Sequence, residues 1–431
     1  MSTGVPPPWQ APWATGPVTG TVQVAGSKSV TNRALVLATL SSSTSQLTGA
    51  LVARDTHLMI AGLRKLGAEV EVHGVDVKVT PGPLTGYCTI DCGLAGTVMR
   101  FLPPVAALVE GEVGFDGDPQ ARRRPMTGTI DGLRQLGVRI DGDSLPLVVH
   151  GSGAVAGGRA TVDASGSSQF ISGLLLAAAR FAEGLELHHR GPALPSLPHI
   201  AMTVAMLRAA GVQVSADVAD PTHCSWRVEP GSLDLGQLLI EPDLTNAAVF
   251  LAAATVTAGK VTVLGWPSES TQAANRIREV FRQLGARVSL DEVGLTVEGP
   301  SHPAGIEVDL GEVGELVPTV AAVAAVADGP SRLTGIAHLR GHETDRLAAL
   351  VTELRRLGIG ADELPDGLEI RPTSHPSTRR GALLRSYHDH RMVTFAAIIG
   401  LVVPGVLVED VSATDKTLPG FADRWQALVT P

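Results

Sequence analysis

The sequence predicts a two-domain α/β protein made of six copies of one unit, with three copies in each domain. The first observation is a helix end that occurs five times, at residues 63–70, 133–140, 207–214, 281–288 and 354–361. The second is an alanine-rich apolar stretch upstream of every copy. Each copy is too long for a solenoid repeat and too short for an ordinary domain. The copies must therefore assemble into larger bodies, and we place the boundary near 235–242, where three copies have passed.

The repeated helix end is an amphipathic helix that stops at a glycine. These glycines are Gly67, Gly137, Gly211, Gly285 and Gly358, at intervals of 70, 74, 74 and 73 residues. Glycine at this position adopts the left-handed conformation that ends a helix. The alternating residues that follow, such as 68–72, predict a strand with one buried face. One further interval reaches the C-terminus, where residues 421–429 predict a last, shortened helix.

A second helix, apolar on nearly every side, precedes each helix end. These inner helices are predicted at residues 33–40, 97–109, 169–181, 246–256, 316–327 and 392–402. A helix that is apolar all round is usually buried, and about 8–14 residues are too few to span a bilayer. Each copy should therefore contain an outer amphipathic helix, a buried inner helix and strands.

Composition and charge exclude several classes of protein. The 431 residues carry a net charge of −9, with 44% hydrophobic and only 3% aromatic residues, so the core must be aliphatic. An acidic chain with one short basic run, at 122–124, is a poor nucleic-acid binder. Cys88, Cys92 and Cys224 are better interpreted as reduced thiols than as a zinc site. The first twenty residues lack the features of a signal peptide, so we expect a flexible or extended tail, no membrane association and a cytoplasmic location.

Polar clusters occur where the inner helices begin. They lie at residues 26–33, 94–100, 165–169, 242–246, 314–318 and 388–391. A helix N-terminus favours anions, and glycine lets a ligand approach the backbone. Any single cluster could be a simple helix cap, but their common register favours anion binding. Further polar groups lie in the loop 122–124, at Lys416, and at His342, Glu343 and Arg346, which combine an acid/base pair with an anion clamp.

Seven motifs, in order along about residues 20–425, resemble those of 5-enolpyruvylshikimate-3-phosphate (EPSP) synthases. They are Gly-Ser-Lys-Ser-x-Thr-Asn-Arg at 26–33, Ala-Gly-Thr-x-Met-Arg at 95–100, Arg-Arg-Pro-Met at 123–126, Gly-Ser-Ser-Gln at 166–169, His-Glu-Thr-Asp-Arg at 342–346, Asp-His-Arg-Met at 389–392 and Asp-Lys-Thr at 415–417. The resemblance implies a two-domain inside-out α/β barrel of six βαβαββ repeats. The domains would be 21–240 and 1–20 with 241–431, and the active site would lie in the interdomain cleft.

The resemblance also implies the reaction. The enolpyruvyl group of phosphoenolpyruvate (PEP) would be transferred to the 5-hydroxyl of shikimate 3-phosphate, giving EPSP and phosphate on the route to chorismate and the aromatic amino acids. The partners would be these two small anionic substrates. No metal and no organic cofactor are implied, because side-chain cations can stabilise the charge. A cytoplasmic monomer that is a target of glyphosate is expected.

Individual residues receive roles from the same resemblance. PEP is expected to contact Lys28, Gly96, Arg124, Gln169, Arg346, Arg391 and Lys416. Shikimate 3-phosphate is expected to contact Lys28, Ser29, Arg33, Ser167, Ser168, Gln169, Ser196, Glu315 and His342. The catalytic residues would be Lys28, Glu315, Glu343 and His342, with Glu315 as the base on the 5-hydroxyl and Glu343 as the acid and base at the PEP methylene. Arg346 and Arg391 would clamp the PEP carboxylate, using the planar guanidinium.

The chain departs from the family pattern at several positions. Ala25, Leu94, Phe101, His199, Glu315, His338 and His342 stand where the family usually has Pro, Asn, Pro, Tyr, Asp, Asn and Lys. Two alternative classes of protein remain. A UDP-N-acetylglucosamine enolpyruvyl transferase typically carries a reactive cysteine before the Arg-Pro motif, and residues 118–121 contain none. A non-catalytic anion-binding protein would have no reason to keep Glu343 beside Arg346.

Overall fold

The computed structural model describes residues 7–341, 343–372 and 380–430, and the chain forms two compact units. The middle unit is Gly26–Glu241, and the terminal unit comprises the chain up to Ala25 and from Pro242 onwards. The first division therefore lies five residues later than the sequence predicted. The reason is strand β2 (Thr19–Val22), which pairs in parallel with β15 (Lys260–Leu264) and so keeps these residues in the terminal unit.

The helices alternate between inner and outer positions along the chain. The inner helices are α1 (Lys28–Leu40), α3 (Gly96–Ala106), α5 (Gln169–Ala178), α7 (Leu244–Thr257), α9 (Val317–Ala324) and α11 (His390–Gly400). The outer helices are α2 (Arg54–Lys65), α4 (Thr127–Gln135), α6 (Leu197–Ala209), α8 (Ile277–Gln283), α10 (Arg346–Arg356) and α12 (Phe421–Val429). All six predicted inner helices and the shortened last helix are confirmed. Helix α1 begins earlier than predicted because Ser27 caps it.

Five outer helices end at the predicted glycines, and each glycine has a positive φ. The values are 106° at Gly67, 85° at Gly137, 87° at Gly211, 92° at Gly285 and 79° at Gly358. After each glycine the next N–H donates to the carbonyl five residues earlier, as from Ala68 to Leu63 at 3.1 Å. This is the hydrogen bond of a Schellman ending. Four arginines in these ends, Arg64, Arg134, Arg208 and Arg355, also donate to the carbonyl six residues ahead, which ties each helix to its following strand.

The middle unit contains three four-stranded sheets with one common topology. Their strands, in spatial order, are β14 (Gln237–Leu239), β3 (Ser45–Thr48), β5 (Asp76–Thr80) and β4 (Glu69–His73); β6 (Cys88–Asp91), β7 (Glu110–Asp116), β9 (Leu147–Ser152) and β8 (Arg139–Asp141); and β10 (Gly158–Val162), β11 (Leu185–His189), β13 (Ser225–Val228) and β12 (Val214–Asp217). The first pair in each sheet is parallel and the other pairs are antiparallel. Strand β14 comes from the end of the unit and completes the first sheet, which closes the three copies into one body.

The terminal unit repeats this plan in two sheets, whereas its third sheet has three strands in the described part of the chain. Its sheets are β2, β15, β17 (Gly294–Glu298) and β16 (Arg287–Leu290); β18 (Glu307–Asp309), β19 (Ser331–Thr334), β21 (Gly367–Arg371) and β20 (Gly360–Leu364); and β1 (Trp9–Gln10), β23 (Leu407–Val408) and β22 (Leu383–Leu384). Strands from the N-terminal tail thus enter two of its sheets. The described part of the tail is extended where it supplies these two edge strands.

Each unit has its own hydrophobic core, formed largely by the inner helices. In α1 every residue from Val30 to Leu40 is buried, and α5 is buried from Phe170 to its end. The core is mainly aliphatic, and among its few aromatic side chains Phe250 of the terminal unit packs on Phe421 and Trp425. Among the described residues, no helix has the length and apolar composition needed to cross a membrane. The inner helices thus leave only their first residues available for chemistry.

Candidate active site

The start of α1 holds a lysine against a buried carboxylate. The Ser27 hydroxyl accepts the Val30 N–H at 3.5 Å, and Lys28 is the first residue of the helix. The Lys28 Nζ lies 3.4 Å from Asp55 Oδ2, with the lysine side chain 20% exposed and the aspartate 2%. Within the described part of the chain, Asp55 Oδ1 has no hydrogen-bond partner. Asp55 therefore keeps the Lys28 cation at the surface end of the inner helix.

Arg33, one turn further along α1, forms a buried junction between three helices. Its guanidinium donates to Thr203 Oγ1 at 2.7 Å, to Ser172 Oγ at 3.2 Å, and to the carbonyls of Ser29 and His199 at 3.0 Å each. The residue is 2% exposed, and its guanidinium carbon lies 5.2 Å from the centre of the Phe101 ring. Arg33 thus fixes α1 to α5 and α6. Its assignment to shikimate 3-phosphate stays a prediction.

Gly96 lies where three polar side chains of the middle unit converge. A Cβ at this position would stand 2.9 Å from Arg124 Nη2 and 3.0 Å from both Arg100 Nη1 and Gln169 Oε1. Arg100 Nη1 donates to Gln169 Oε1 at 2.9 Å, and Arg124 Nη1 donates to the Leu94 carbonyl at 3.1 Å. Any side chain at position 96 would therefore displace groups that are predicted to contact PEP.

Close packing of α3 on α5 produces this convergence. Gly173 on α5 rests on the Arg100 carbonyl, and a Cβ there would approach the oxygen to 2.1 Å. Pro104 stands four residues after Arg100 within α3. Because proline has no N–H to donate, that carbonyl has no helical hydrogen bond and can face the neighbouring helix. The proline and the glycine together bring Arg100 within reach of Gln169.

The serines predicted to bind shikimate 3-phosphate lie at three helix starts, and Ser29 is the second residue of α1. Ser167 Oγ accepts the Gln169 N–H at 3.3 Å, and Ser168 is the cap residue of α5. Ser196 precedes α6 and has a left-handed backbone, with φ 55° and ψ 42°. That conformation costs a non-glycine residue roughly 1–3 kcal/mol, and such strain is often found at binding sites. The assignment of these serines to shikimate 3-phosphate stays a prediction.

In the terminal unit, Asp389 holds Arg346 at the start of α11. The Arg346 Nε donates to Asp389 Oδ2 at 2.7 Å, and the two side chains are 1% and 0% exposed. Asp389 Oδ1 accepts the Arg391 N–H at 2.9 Å and so caps α11. Glu343 receives Arg346 Nη2 at 2.6 Å on one oxygen and Lys416 Nζ at 2.7 Å on the other. The predicted acid/base residue is therefore linked directly to two of the predicted PEP cations.

Arg391 has a donor that the described residues do not use. Its Nη1 donates to the Glu315 carbonyl at 3.1 Å, whereas its buried Nε has no hydrogen-bond partner among them. Burial lowers the pKa of Arg391 and the neighbouring Arg346 cation adds to this, while Glu315 opposes both. Arginine nevertheless remains protonated in proteins. A buried cation with an unused donor gains most from a bound anion.

His338 lies beside the predicted base. Its Nε2 would be only 2.7 Å from a Cβ at Gly314, so the imidazole packs on the backbone next to Glu315. Burial lowers the pKa of His338, with Glu315 opposing and Arg346 reinforcing that shift. His338 is therefore mainly neutral at neutral pH. Glu315 lies in the 3₁₀ segment Gly311–Leu316, immediately before α9.

The predicted residues divide between the two units. The middle unit contains Lys28, Ser29, Arg33, Gly96, Arg124, Ser167, Ser168, Gln169 and Ser196, and the terminal unit contains Glu315, Glu343, Arg346, Arg391 and Lys416. His342 lies outside the described residues. Among the described residues there is no cluster of three or more histidine, cysteine or acidic side chains that could hold a metal ion.

Sequence reasoning missed two carboxylates and one arginine in these clusters. Asp55 could have been noticed as an acid in the first turn of α2, although such residues are usually explained by the helix dipole. Asp389 and Arg100 belong to motifs of the family, but the resemblance implies no role for either. Their importance depends on partners that are distant in the sequence, at 43 positions for Asp389 and 69 for Arg100.

Six copies of one α/β unit, with cations and carboxylates gathered at helix starts, form a class of protein suited to binding small anions. The family model for EPSP synthase (3-phosphoshikimate 1-carboxyvinyltransferase) matches residues 13–425, and the chain belongs to this family. The predicted family, fold class and enzyme activity are thereby confirmed, and the UDP-N-acetylglucosamine alternative is not favoured. The enzyme is a transferase of the shikimate pathway.

Solved structures share the fold. A 2.37 Å structure of EPSP synthase from Acinetobacter baumannii superposes with a TM-score of 0.80 at 24% sequence identity, covering 96% of each chain. Another structure, of EPSP synthase from the same organism, gives a TM-score of 0.79 at 24% identity and the same coverage. At this level of identity the likeness supports the two-domain inside-out barrel, not the role of any particular residue.

Proposed function

We propose that Arg346 and Arg391 clamp the PEP carboxylate in the 3-phosphoshikimate 1-carboxyvinyltransferase reaction. The observation that carries this proposal is the unused, buried Nε of Arg391 beside an Arg346 that Asp389 holds side-on. Guanidinium groups bind carboxylates through paired hydrogen bonds, which fix orientation as well as charge. Lys416 belongs to the same cluster through Glu343 and would contact the PEP phosphate.

In the middle unit, the groups around Gly96 would receive the rest of PEP. The polar ends of Arg124 and Gln169 converge where Gly96 lacks a side chain, and Lys28 is partly exposed at the start of α1. The shikimate 3-phosphate ligands would be Lys28, Ser29, Arg33, Ser167, Ser168, Gln169, Ser196, Glu315 and His342. On this proposal the residues of both units serve one reaction.

The chemistry requires one base, one acid and several cations. Glu315 would take the proton of the 5-hydroxyl while that oxygen bonds to carbon 2 of PEP, and Glu343 would protonate carbon 3, giving a tetrahedral adduct. Glu343 would then remove a proton from carbon 3 as the bond from carbon 2 to the phosphate oxygen breaks. The electrons of that bond leave with phosphate, whose charge Lys28, Arg124 and Lys416 would stabilise. Lys28 and His342 would assist, by resemblance to the family.

Phosphate release tests these assignments. Arg391→Ala should raise KM for PEP by about 10- to 100-fold, the equivalent of one or two charge-assisted hydrogen bonds, and leave KM for shikimate 3-phosphate within a factor of three. Arg287→Ala is a matched control in the same unit, because its side chain is 83% exposed. An unchanged KM for PEP in Arg391→Ala would contradict the clamp. Release with UDP-N-acetylglucosamine in place of shikimate 3-phosphate should not occur.

We further propose that the enzyme works as a cytoplasmic monomer and that glyphosate competes with PEP. Cys88, Cys92 and Cys224 are all free thiols, which suits a reducing compartment. Glyphosate is an anion slightly longer than PEP and would use the space left at Gly96. Light scattering after gel filtration tests the monomer, cell fractionation tests the location, and inhibition at several PEP concentrations tests the competition.

A further inference from the structure

A buried carboxylate outside the clusters described above lies on α10. Glu353 is 0% exposed, and its Oε1 accepts the Tyr387 hydroxyl at 2.7 Å. Its other oxygen accepts Arg356 Nε at 3.1 Å and the Arg385 N–H at 3.4 Å. Burying a carboxylate is costly unless it is paired and hydrogen-bonded. Arg356 is itself 39% exposed, so Glu353 has a strong requirement for the Tyr387 hydroxyl.

The segment that Glu353 holds is strained. Tyr387 and His388 are consecutive non-glycine residues with left-handed backbones, at φ 53° and 55°. Such conformations persist only where the surroundings determine them. Hydrogen bonds hold this segment. The Tyr387 hydroxyl donates to Glu353, the Ser386 N–H donates to Glu409 Oε2 at 3.1 Å, and the Asp389 N–H donates to the Ser386 carbonyl at 2.9 Å. The strained pair leads directly into Asp389.

Helix α10 and this segment are joined at two points. Arg346 and Glu353 are seven residues apart on α10, which places them on one face two turns apart. Arg346 is held by Asp389, and Glu353 is held by Tyr387, two residues earlier. Because Asp389 also caps α11 through the Arg391 N–H, a shift of the segment would move both arginines.

We propose that Glu353 and Tyr387 form a positioning pair that sets the direction of the two arginines of the carboxylate clamp, Arg346 and Arg391. The inference rests on the clamp proposed above. The pair touches no reacting atom and acts only through Asp389. Burial and the hydrogen bond to Glu353 raise the pKa of Tyr387 to about 12. The phenol therefore stays protonated and remains a donor throughout the working pH range.

Tyr387→Phe tests the pair, since it removes one hydroxyl and keeps the ring. We expect KM for PEP to rise about tenfold, as for one lost hydrogen bond to a charged group, with kcat and KM for shikimate 3-phosphate changing less than threefold. The sequence contains two tyrosines, and Tyr87→Phe is the matched control because Tyr87 is 81% exposed. It should leave all three constants unchanged.

Glu353→Gln provides a second, independent variant. The amide keeps an oxygen to accept from Tyr387, so KM for PEP should rise less than in Tyr387→Phe, and the double variant should show no further rise beyond Tyr387→Phe. A merely structural role would instead lower the melting temperature and the active fraction, seen as a lower kcat with both KM values unchanged. That result, or equal rises in both KM values, would overturn the proposal.

The Arg391→Ala variant separates this inference from the clamp itself. If Arg391→Ala raises KM for PEP and Tyr387→Phe does not, the positioning pair is wrong and the clamp stands. If Arg391→Ala leaves KM for PEP unchanged, the clamp is wrong, and the positioning inference is overturned with it.

Discussion

Removing Lys28 should affect activity and stability through two different partners. Lys28→Ala removes a cation proposed to contact both substrates, and a hydrogen bond to a charged group is worth roughly 1.5–3 kcal/mol. Two such losses correspond to a fall in kcat/KM of about 10²- to 10⁴-fold. The same change leaves Asp55 without a cation that lies 3.4 Å away, although the carboxylate is 2% exposed. That loss should cost about 1–3 kcal/mol of unfolding free energy.

A second substitution separates the two effects. Asp55→Asn replaces the buried charge by an amide that costs less to bury, so Lys28→Ala/Asp55→Asn should recover most of the lost stability. It should not recover activity, because the cation is still absent. Urea unfolding and phosphate release on all four proteins measure the cycle. The anion-binding role is wrong if Lys28→Ala keeps more than about a third of wild-type kcat/KM, which is a loss under 1 kcal/mol. Recovery of activity in the double variant would show that Lys28 serves only to neutralise Asp55.

Three further predictions concern a glycine of the proposed PEP site, two helix ends and a buried histidine. Gly96→Ala should raise the inhibition constant of glyphosate more than KM for PEP, because the added Cβ would stand within about 3.0 Å of Arg124, Arg100 and Gln169; equal effects in competition assays would show that the two ligands use this space alike. Gly211→Ala should lower the unfolding free energy by about 1–2 kcal/mol, the cost of a left-handed non-glycine residue, since a Cβ there meets nothing within 4 Å. Gly67→Ala should lose more, because its Cβ would also lie 2.1 Å from the Pro83 carbonyl, and identical urea midpoints would refute the steric argument. Burial lowers the pKa of His338, so the native state resists protonation of this histidine. The resulting stability is present above the pKa of about 6.5 that a histidine has in the unfolded chain, and it is lost as the pH falls below that pKa. His338→Asn should therefore unfold less steeply with acid, and parallel stability–pH curves for the two proteins would count against this.

The sequence alone was sufficient for the repeat, the helices and the family. The glycines that end the outer helices could be predicted because a helix ending of this kind needs a positive φ at one position. This is a local requirement, and it is met at Gly67 and its four equivalents. The inner helices could be read because apolar residues on every side indicate burial. Motifs around Lys28, Gly96 and Arg391 were sufficient to name the family, and the chemical class of the substrates follows from it.

The tertiary structure decided which groups meet. The division between the two units at Ala25 depends on the pairing of β2 with a strand about 240 residues away, from Thr19 to Lys260. No local sequence pattern indicates such a partner. Lys28 contacts Asp55, which is 27 positions away in the sequence. Arg346 contacts Asp389 at 43 positions, and Arg33 contacts Thr203 at 170 positions. Composition and periodicity describe how a segment sits on the core, whereas these pairs arise from how separate segments pack against one another. The strained backbone at Tyr387 and its bond to Glu353 became visible only with that packing, because a left-handed tyrosine contradicts its own local preference and is held in place by a helix that lies elsewhere in the chain.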